Sequence, residues 1–324
     1  MTYAIRMETV GGPEVMQWVE VTVGEPGPGE ARVRHEAVGL NYIDVYFRSG
    51  VNPQPLPAGL GMEGSGVVEA VGEGVTHVQV GDRVAYAGRP NGAYAQARVM
   101  PAKLLLKLPD ALSFEQGAAM MLQGLTVEYL LNRVYKAKAG DVVVLHAAAG
   151  GVGLLACQWA RAIGVTVIGT VSTPEKAELA KAHGCSHVVM AGSGKLVETV
   201  KDLTNGQGVP VVFDSVGKDT FTESLDCIAP LGLMVSFGNA SGPVAPFELA
   251  QLAMRGSLAI TRPTLMTFTE RREWLEPMAQ NLFDMVLSGK VSIPVNQRYK
   301  LKNVAQAHRD LEARKTTGST VLLP

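Results

Sequence analysis

Hydrophobic positions in the N-terminal third of the chain follow the alternation expected of short β-strands. The clearest runs are Ala31–Val38, Gly66–Val71 and Arg83–Ala87. Clusters of glycine, proline and aspartate separate these runs, as in the segment 24–29, and predict tight turns. The pattern becomes helical at Ser113, which has capping-box spacing to Gln116, and helical periodicity continues over 123–135. We therefore expect a β-rich N-terminal region that ends at a helix.

From Asp141 onward, apolar strand-like runs alternate with helical segments. The predicted strands are Val142–His146, Val165–Thr170, Ser186–Met190, Val209–Asp214, Leu233–Phe237 and Leu258–Thr261. The predicted helices are Leu154–Ile163, a segment from Pro174 to Gly184, Lys195–Leu203 and Thr220–Ile228. This alternation is typical of a parallel sheet covered by helices on both faces, so the fold class is α/β.

The pattern changes a third time after Arg262 and Pro263, where a helical segment (270–287) precedes a strand-like tail (319–323). We interpret the chain as an α/β unit inserted into a second domain. The predicted domains are residues 123–262 for the α/β unit, and 1–122 together with 263–324 for the β-rich one.

Composition and charge exclude several classes of protein. Hydrophobic residues make up 47% of the 324 positions and the net charge is -1, so no bulk attraction to nucleic acid or an anionic membrane is expected. Three widely separated cysteines (Cys157, Cys185, Cys227) argue against a disulfide framework. The N-terminus lacks the layout of a signal peptide. We expect a soluble, cytoplasmic protein that binds neither membrane nor nucleic acid.

The segment Val142–Gly153 carries the strongest chemical signal. An apolar strand runs into Ala148-Ala-Gly-Gly-Val-Gly153 and then directly into an apolar helix. Glycines let the backbone approach a pyrophosphate, and the helix N-terminus presents free N–H groups to that anion. Alanine fills the first position of the usual glycine pattern, but strand, turn and helix stand in the required order. The segment predicts a dinucleotide site.

The end of the second strand of this unit predicts which dinucleotide binds. An NAD site usually places an acidic residue there for the ribose 2′-hydroxyl, whereas this strand ends Ile168-Gly-Thr-Val-Ser-Thr173. Ser172 and Thr173 offer hydroxyl groups, and Lys176 follows in the next helix. Hydroxyl and ammonium groups stabilise a 2′-phosphate, which a carboxylate would repel. NADPH is therefore the predicted cofactor, with a merely solvated Lys176 as the alternative.

Five motifs together resemble one family. They are Asn41–Gly50, Gly59–Gly64, His146–Gly153, Asp214–Gly217 and Val235–Asn239. In these segments the chain is similar to the zinc-free branch of the medium-chain dehydrogenases/reductases, the bacterial NADPH:quinone oxidoreductases related to zeta-crystallin. The resemblance implies a GroES-like catalytic domain, a Rossmann NADPH-binding domain, and a homodimer joined at the edge of the Rossmann sheet near 233–237 and 258–261.

The resemblance also implies the site residues. The residues expected at the nicotinamide and the substrate, with a catalytic role, are Asn41 and Tyr46. The residues expected to bind the cofactor are Asn41, Tyr46, Thr126, Gly150, Gly151, Val152, Ser172, Lys176, Ser215, Phe237, Gly238, Asn239 and Arg314. Relatives often place a tyrosine against the adenine where this chain reads Val189-Met-Ala191, so that contact is not carried over. Some relatives have lysine at Gln123, which leaves the polarity of the substrate region open.

No metal is expected. The chain has no Cys-x-x-Cys, which excludes a cysteine-rich structural zinc site. Zinc alcohol dehydrogenases of similar layout carry a catalytic cysteine where this chain has Asn41, and a histidine where it has Met62. Metal-assisted alcohol oxidation is therefore not the predicted chemistry.

Several of these residues also have structural interpretations. Asp44 lies one helical turn from Arg48 if that segment coils, and the two predict a surface ion pair. Tyr46 alternatively belongs to the core. Arg262 and Arg314 are both candidates for a distal cation of the nucleotide pocket. A surface role is the alternative for each. His35 and His146 are expected to be strand histidines whose hydrogen bonds are satisfied in place, and we find no nucleophile–base pair in the sequence.

Three functions remain open at this stage. The first is reduction of quinones by hydride transfer from NADPH, without metal, which needs little from side chains beyond binding and orientation. The second is reduction of the activated double bond of an enone or alkenal on the same scaffold. The third, from a different class, is an NADPH-binding crystallin-like or RNA-binding protein, which the net charge and the 6% aromatic content disfavour.

Overall fold

The structure is a computed structural model that describes residues 1–324. Its strands are β1 (Thr2–Met7), β2 (Gln17–Val21), β3 (Glu30–Leu40), β4 (Ala58–Gly59), β5 (Glu63–Val71), β6 (Arg83–Ala87), β7 (Ala97–Pro101), β8 (Leu106–Lys107), β9 (Val142–Leu145), β10 (Thr166–Val171), β11 (His187–Met190), β12 (Val209–Asp214), β13 (Ile228–Ser236), β14 (Ala259–Thr261), β15 (Val295–Lys300) and β16 (Ser319–Leu323). Its helices are α1 (Tyr42–Ser49), α2 (Phe114–Tyr129), α3 (Gly151–Ala162), α4 (Pro174–Ala182), α5 (Leu196–Leu203), α6 (Phe221–Asp226), α7 (Ala250–Met254), α8 (Leu265–Thr269), α9 (Arg272–Leu287) and α10 (Val304–Glu312).

The chain forms two compact units. Unit 1 comprises Met1–Leu125, Phe268–Leu287 and Ile293–Pro324, and unit 2 comprises Thr126–Thr267 and Ser288–Ser292. The division falls inside α2, whose first turn has the predicted capping box. Ser113 N donates to Gln116 Oε1 at 2.9 Å and Gln116 N donates to Ser113 Oγ at 3.1 Å. A one-turn π-helical segment (Leu130–Val134) continues α2.

Unit 1 is β-rich, as predicted. Seven strands form one sheet in the order β15-β16-β3-β5-β6-β8, with β7 also paired to β3, and a second sheet has the order β2-β1-β4. Most neighbours are antiparallel; β15 and β16 are parallel. The strand β3 alternates buried and less buried residues from Glu30 to Ala37, and Ala37–Leu40 are all buried, so the strand packs into the core of this unit.

Unit 2 contains a six-stranded parallel sheet in the order β11-β10-β9-β12-β13-β14. In order of first appearance within the unit this is 3-2-1-4-5-6, the strand order of a doubly wound dinucleotide-binding fold. The neighbours β9 and β12 flank the point where the connections change direction, and ligands bind outside the carboxyl ends of the strands there. The predicted α/β class, a GroES-like β-rich part and a Rossmann sheet, is confirmed.

Candidate active site

Four of the predicted cofactor segments follow the carboxyl ends of neighbouring strands in unit 2. Gly150–Val152 follows β9, Ser172 follows β10, Ser215 follows β12 and Phe237–Asn239 follows β13. Because the strands are parallel and adjacent, these segments share one edge of the sheet. The sequence prediction that they act at one site therefore matches the topology of this unit.

The turn between β9 and α3 is built for close approach. Gly150 is the N-cap of α3, and no side chain caps the helix. The N–H groups of its first turn therefore face outward for an anionic group. A Cβ on Gly153 would lie 2.4 Å from the carbonyl oxygen of Ala147, and a Cβ on Gly169 of β10 would lie 2.6 Å from Cβ of Ala148. Glycine at both positions lets helix and strand pack closely under the turn.

The end of β10 carries the groups predicted for a 2′-phosphate. Ser172 is exposed and Lys176 is half-buried one turn into α4. Thr173 is the N-cap of that helix, and its Oγ1 accepts from Lys176 N at 3.3 Å. Glu175 is the acid next to Lys176 in the sequence, and hydrogen bonds from its own N–H and from the Thr173 hydroxyl lower the pKa of its carboxyl. The residues present fit a 2′-phosphorylated dinucleotide, since hydroxyl and ammonium groups lie where NAD sites carry a strand-end acid.

A buried carboxylate holds the turn after β12. Oδ1 of Asp214 accepts from the N–H groups of Val216 (2.7 Å) and Gly217 (3.0 Å), and its Oδ2 accepts from the hydroxyls of Thr220 (2.7 Å) and Ser224 (3.0 Å). These four bonds fix the backbone next to Ser215.

His146 belongs to the same buried region and forms hydrogen bonds there. Its Nδ1 lies 3.0 Å from Thr170 Oγ1 and its Nε2 lies 2.9 Å from Ser224 Oγ. Burial lowers the pKa of this imidazole, which opposes charging at neutral pH. The prediction that the hydrogen bonds of His146 are satisfied in place is confirmed, but the residue lies one position past the end of β9 and not in the strand. The hydrogen bonds of His35 are also satisfied in place, since its ring nitrogens contact Ala95 O (2.6 Å) and Tyr86 Oη (2.8 Å).

Arg262 holds the segment after β13. Its Nη1 donates to the carbonyl oxygens of Ser236 (3.1 Å) and Gly238 (2.9 Å). With the amide of Asn239 oriented to satisfy both of its ends, its oxygen accepts from Arg262 Nη2 at 3.3 Å. A Cβ on Gly238 would lie 2.4 Å from Ser215 O, so this glycine permits the contact between the two segments. Arg262 thus acts on the predicted site by positioning its backbone.

Thr126, the remaining predicted residue of unit 2, lies on α2 with 6% of its surface exposed. Its hydroxyl is hydrogen-bonded with Tyr129 one turn later, and burial raises the pKa of that phenol. This pairing places two hydrogen-bonding groups on one face of α2.

Asn41, in unit 1, is the centre of a buried polar cluster. It is the N-cap of α1. Its Nδ2 donates to Glu63 Oε2 at 2.7 Å and its Oδ1 accepts from Gln123 Nε2 at 3.2 Å. Ser319 Oγ donates to Gln123 Oε1 at 2.8 Å. A Cβ on Gly39 would lie 2.3 Å from Glu63 Oε2, so a glycine in β3 makes room for the carboxyl group.

The predicted surface pair of Asp44 and Arg48 is wrong. Asp44 is fully buried and Arg48 is 2% exposed. Oδ2 of Asp44 accepts from Asn41 N (2.9 Å) and from Tyr94 Oη (2.8 Å), whereas Arg48 pairs with Glu312. Helix α1 is amphipathic in an unexpected sense, because its polar face turns inward onto a hydrogen-bond network instead of outward to water.

Burial perturbs the titration of this cluster. It raises the pKa of Asp44 to about 7 and that of Glu63 to about 8, although hydrogen bonds to both groups oppose the shift. Burial lowers the pKa of His308, which contacts Tyr94 and Arg48, to about 3. The region therefore holds two carboxyl groups that carry protons close to neutral pH and an imidazole that does not.

Two more predicted residues belong to unit 1. Tyr46 is half-buried on α1 and packs edge-to-face on Tyr42, with ring centroids 5.4 Å apart. Arg314 is exposed after α10 and adopts a positive φ of 58°. Both have polar or electrostatic partners. Their roles at a cofactor or substrate stay predictions.

The sequence did not assign Glu63, and it left Gln123 and Ser319 without a role. Glu63 is a charged residue at the start of a strand whose first four residues are all buried, and a buried charge of this kind marks a candidate site. Gln123 and Ser319 lie 196 positions apart, and no local pattern connects them. No group of three or more His, Cys, Asp and Glu side chains is arranged to hold a metal ion, and Met62 is fully buried.

Two family models match the chain: an alcohol dehydrogenase GroES-like domain over residues 27–110 and a zinc-binding dehydrogenase over residues 151–282. Among curated proteins, it is 53% identical to a quinone oxidoreductase of Pseudomonas aeruginosa over the full length of both chains. It is 44% identical to a 2-haloacrylate reductase of a Burkholderia species, covering 100% of this chain and 99% of that one. The crystal structure of Escherichia coli quinone oxidoreductase complexed with NADPH superposes with a TM-score of 0.97 at 47% identity over both full chains.

Fold, site topology and full-length similarity agree on the family. The chain belongs to the medium-chain dehydrogenases/reductases, in the branch of the quinone oxidoreductases. None of its helices combines the length and the apolar composition that crossing a membrane requires.

Proposed function

We propose that this chain is an NADPH:quinone oxidoreductase that works without a metal. The observation that carries the proposal is the edge of the unit 2 sheet, where the uncapped glycine turn before α3 and the Ser172–Lys176 segment stand side by side on neighbouring strands. The 53% identity to a quinone oxidoreductase over the whole chain supports a quinone as the electron acceptor. Asn41 and Met62, residues that zinc does not favour, support a metal-free reaction.

In this proposal the two domains predicted from the sequence divide the work. Residues 123–262 bind the dinucleotide, and residues 1–122 with 263–324 shape the substrate region. Gly150, Gly151 and Val152 hold the pyrophosphate through backbone N–H groups, and Ser172 and Lys176 hold the 2′-phosphate. Thr126, Ser215, Phe237, Gly238, Asn239 and Arg314 complete the nucleotide pocket.

Asn41 and Tyr46 are the proposed groups at the reacting atoms. When bound, NADPH supplies the hydride. The Asn41 amide, held at both ends by hydrogen bonds, orients a carboxamide or a carbonyl group without having to be ordered at the moment of reaction. The phenol of Tyr46 or water delivers a proton to the reduced quinone. A quinone is electron-poor, so this chemistry needs no strong acid or base from the protein.

The test is NADPH oxidation by the purified protein, followed by absorbance with benzoquinones, naphthoquinones and enones, and with NADH in parallel. We expect rapid NADPH consumption with quinones and much slower turnover with NADH. Cofactor binding without turnover of any acceptor would contradict the proposal and favour a binding role for the protein.

A second enzymatic function rests on one observation. The 2-haloacrylate reductase that is 44% identical over the full chain is named for reduction of an activated carbon–carbon double bond. Turnover of enones or haloacrylates alone, in the same assay, would assign this chain to that reaction.

We further propose a cytoplasmic homodimer. The strand β14 is an edge of the parallel sheet, and exposed apolar side chains lie nearby in unit 2: Leu231 (80% exposed), Leu249 (74%) and Met254 (83%). An unpaired sheet edge with apolar neighbours favours association with a second copy. The three free, buried cysteines support a reducing compartment.

A further inference from the structure

Four side chains of unit 1 form one hydrogen-bonded chain from a carboxyl group to a hydroxyl group. Asn41 Nδ2 donates to Glu63 Oε2 at 2.7 Å, Gln123 Nε2 donates to Asn41 Oδ1 at 3.2 Å, and Ser319 Oγ donates to Gln123 Oε1 at 2.8 Å. All four residues are at most 7% exposed. The series of hydrogen bonds has a direction, because every donor points toward Glu63. This direction suits an ionised Glu63 carboxylate, which only accepts hydrogen bonds.

Ser319 shows that a second direction is available. Its Oγ lies 2.8 Å from Gln123 Oε1 and 3.0 Å from the carbonyl oxygen of Ala119. A hydroxyl group has one hydrogen, so it donates to only one of these acceptors at a time. When it donates to Ala119 O, its lone pairs become free to accept from Gln123.

The opposite direction of these hydrogen bonds fits a protonated, neutral Glu63 carboxyl. Turning the amides of Asn41 and Gln123 over by about 180° exchanges O and N at nearly unchanged positions. Ser319 then donates to Ala119 O, Gln123 Nε2 donates to Ser319 Oγ, and Asn41 Nδ2 donates to Gln123 Oε1. Asn41 Oδ1 is left to accept the proton of the Glu63 carboxyl, which has no acceptor among these groups in the first direction.

The remaining contacts tolerate the reversal. Glu63 Oε1 accepts from Leu122 N at 2.9 Å in either state. Asp44 N–H, which shares a capping box with the Asn41 side chain, also donates to the Asn41 carbonyl oxygen at 3.0 Å and therefore keeps an acceptor. The backbone N–H groups of Leu122 and Asp44 therefore keep acceptors in the reversed arrangement.

We propose that Glu63, Gln123 and Ser319 are positioning residues for Asn41, and that the presence or absence of a proton on Glu63 decides which way the Asn41 amide is turned. The inference rests on the proposed function, in which Asn41 orients the reacting groups. One protonation state presents the amide in the working orientation, and the other exchanges its donor and its acceptor. Glu63 acts through Asn41, because it is itself fully buried.

The surroundings of Glu63 favour the neutral carboxyl at neutral pH. Its titratable neighbours are Asp44 of α1, Tyr86 of β6 and Tyr94 of the segment before β7, and no cation contributes to its electrostatics. Burial, and then the charge of Asp44, raise its pKa to about 8, against the hydrogen bonds from Asn41, Leu122 and Met121. The working orientation at neutral pH is therefore the reversed one.

The substitution Glu63→Gln tests this assignment, because glutamine reproduces the neutral acid. Its oxygen accepts from Leu122 N and its amide nitrogen donates to Asn41 Oδ1. We expect E63Q to keep kcat/KM for quinone within about twofold of the wild type at pH 7, and to keep it at alkaline pH. The wild type should lose about tenfold as pH rises through about 8, the cost of one misplaced hydrogen bond. Glu73→Gln, at an exposed glutamate, is the matched control and should keep the alkaline loss.

The outcomes separate clearly. An alkaline loss that survives in E63Q, or an E63Q enzyme that is as inactive at neutral pH as Glu63→Ala, overturns the proposal. A role of Glu63 in folding alone would change stability without removing the pH dependence of kcat/KM. The NADPH dissociation constant, measured by fluorescence, should stay flat across the same pH range in E63Q.

A measurement on the wild type avoids any doubt about folding of a variant. In protein labelled with ¹⁵N-asparagine and ¹⁵N-glutamine, the side-chain amides of Asn41 and Gln123 should titrate together with one midpoint near 8. If the two amides titrate independently, or do not titrate, the proposed hydrogen-bonded connection between Glu63 and Gln123 is contradicted. This experiment needs no substrate, so joint titration without quinone turnover would overturn the proposed function alone, and turnover without joint titration would overturn this inference alone.

Discussion

Arg48 and Glu312 form a two-point ion pair although they stand 264 positions apart in the chain. Nη1 and Nη2 of Arg48 donate to the two carboxylate oxygens of Glu312 at 2.8 and 2.7 Å. The guanidinium is 2% exposed, and its Nε also donates to Gly11 O. The pair ties α1, whose N-cap is Asn41, to α10.

Removing the acid of this pair should destabilise the protein. Glu312→Ala leaves a buried guanidinium without its countercharge, and because the Glu312 side chain is 33% exposed, water compensates in part. We expect a loss of about 1–3 kcal/mol in the free energy of unfolding, measured by chemical denaturation. Glu178→Ala, which breaks the exposed pair with Lys181, is the control and should cost about 0–1 kcal/mol. Equal losses in the two variants would argue against a stabilising role of the buried pair.

Lys176 should decide between the two nicotinamide cofactors. If its ammonium binds the 2′-phosphate, Lys176→Ala raises the dissociation constant for NADPH by about 10- to 100-fold and leaves that for NADH within about twofold. Titration of cofactor fluorescence measures both. Lys181→Ala, later in the same helix, is the matched control. Equal weakening for both cofactors would mean that Lys176 supports the helix rather than the phosphate.

The regular part of the fold could be predicted from the sequence because it depends on local periodicity. Strands β6, β12 and β16 begin and end at the predicted residues, and α4 starts at the predicted Pro174. Helix α3 starts at Gly151, three positions before the predicted Leu154 and inside the glycine turn. The strand β13 starts at Ile228, five positions before the predicted Leu233, since Pro230 and Gly232 interrupt the apolar pattern. The short helices α1 and α10 were not assigned from periodicity, because their polar residues turn inward or toward other elements.

The candidate site was predictable only where a motif is contiguous. The glycine turn and the Ser172–Lys176 segment are each continuous in the sequence, so a sequence motif can identify them. The partners of Asn41 cannot be identified in this way, because Glu63 and Gln123 belong to a strand and a helix that only the fold brings next to Asn41. The error at Asp44 has the same origin, since spacing predicts which residues share a helix face and does not predict whether that face is buried.

Stability should fall as pH rises from about 6.5 to about 8. Glu63 has a pKa of about 8 in the folded protein against 4.5 for an ordinary glutamate, and Asp44 about 7 against 3.8. The folded state thus binds more protons than the unfolded state in this window, so its stability decreases as the protons are lost. His35 and His308, with pKa values of about 4 and 3, act in the opposite sense only below about 6.5.

The variant E63Q isolates the contribution of one carboxyl group. Its free energy of unfolding should fall less with pH, and at pH 8 it should exceed that of the wild type by on the order of a few kcal/mol. Urea denaturation at several pH values between 6.5 and 8.5 measures the difference. Parallel curves for the two proteins would show that Glu63 does not carry a raised pKa in the folded state.

The edge of the parallel sheet should join two copies of the chain. Leu231 N donates to Gly256 O at 2.8 Å, which places exposed Leu231 beside the end of α7, where Met254 is also exposed. In a dimer formed along β14, these side chains become buried, so Met254→Lys with Leu249→Lys places charges in an apolar contact. We expect light scattering to show a dimer for the wild type and association weakened at least about tenfold for the variant. Val80→Lys, at an exposed apolar side chain of unit 1, is the control and should stay dimeric. A double variant that dimerises unchanged would place the contact elsewhere on the protein. A monomeric wild type would contradict the dimer.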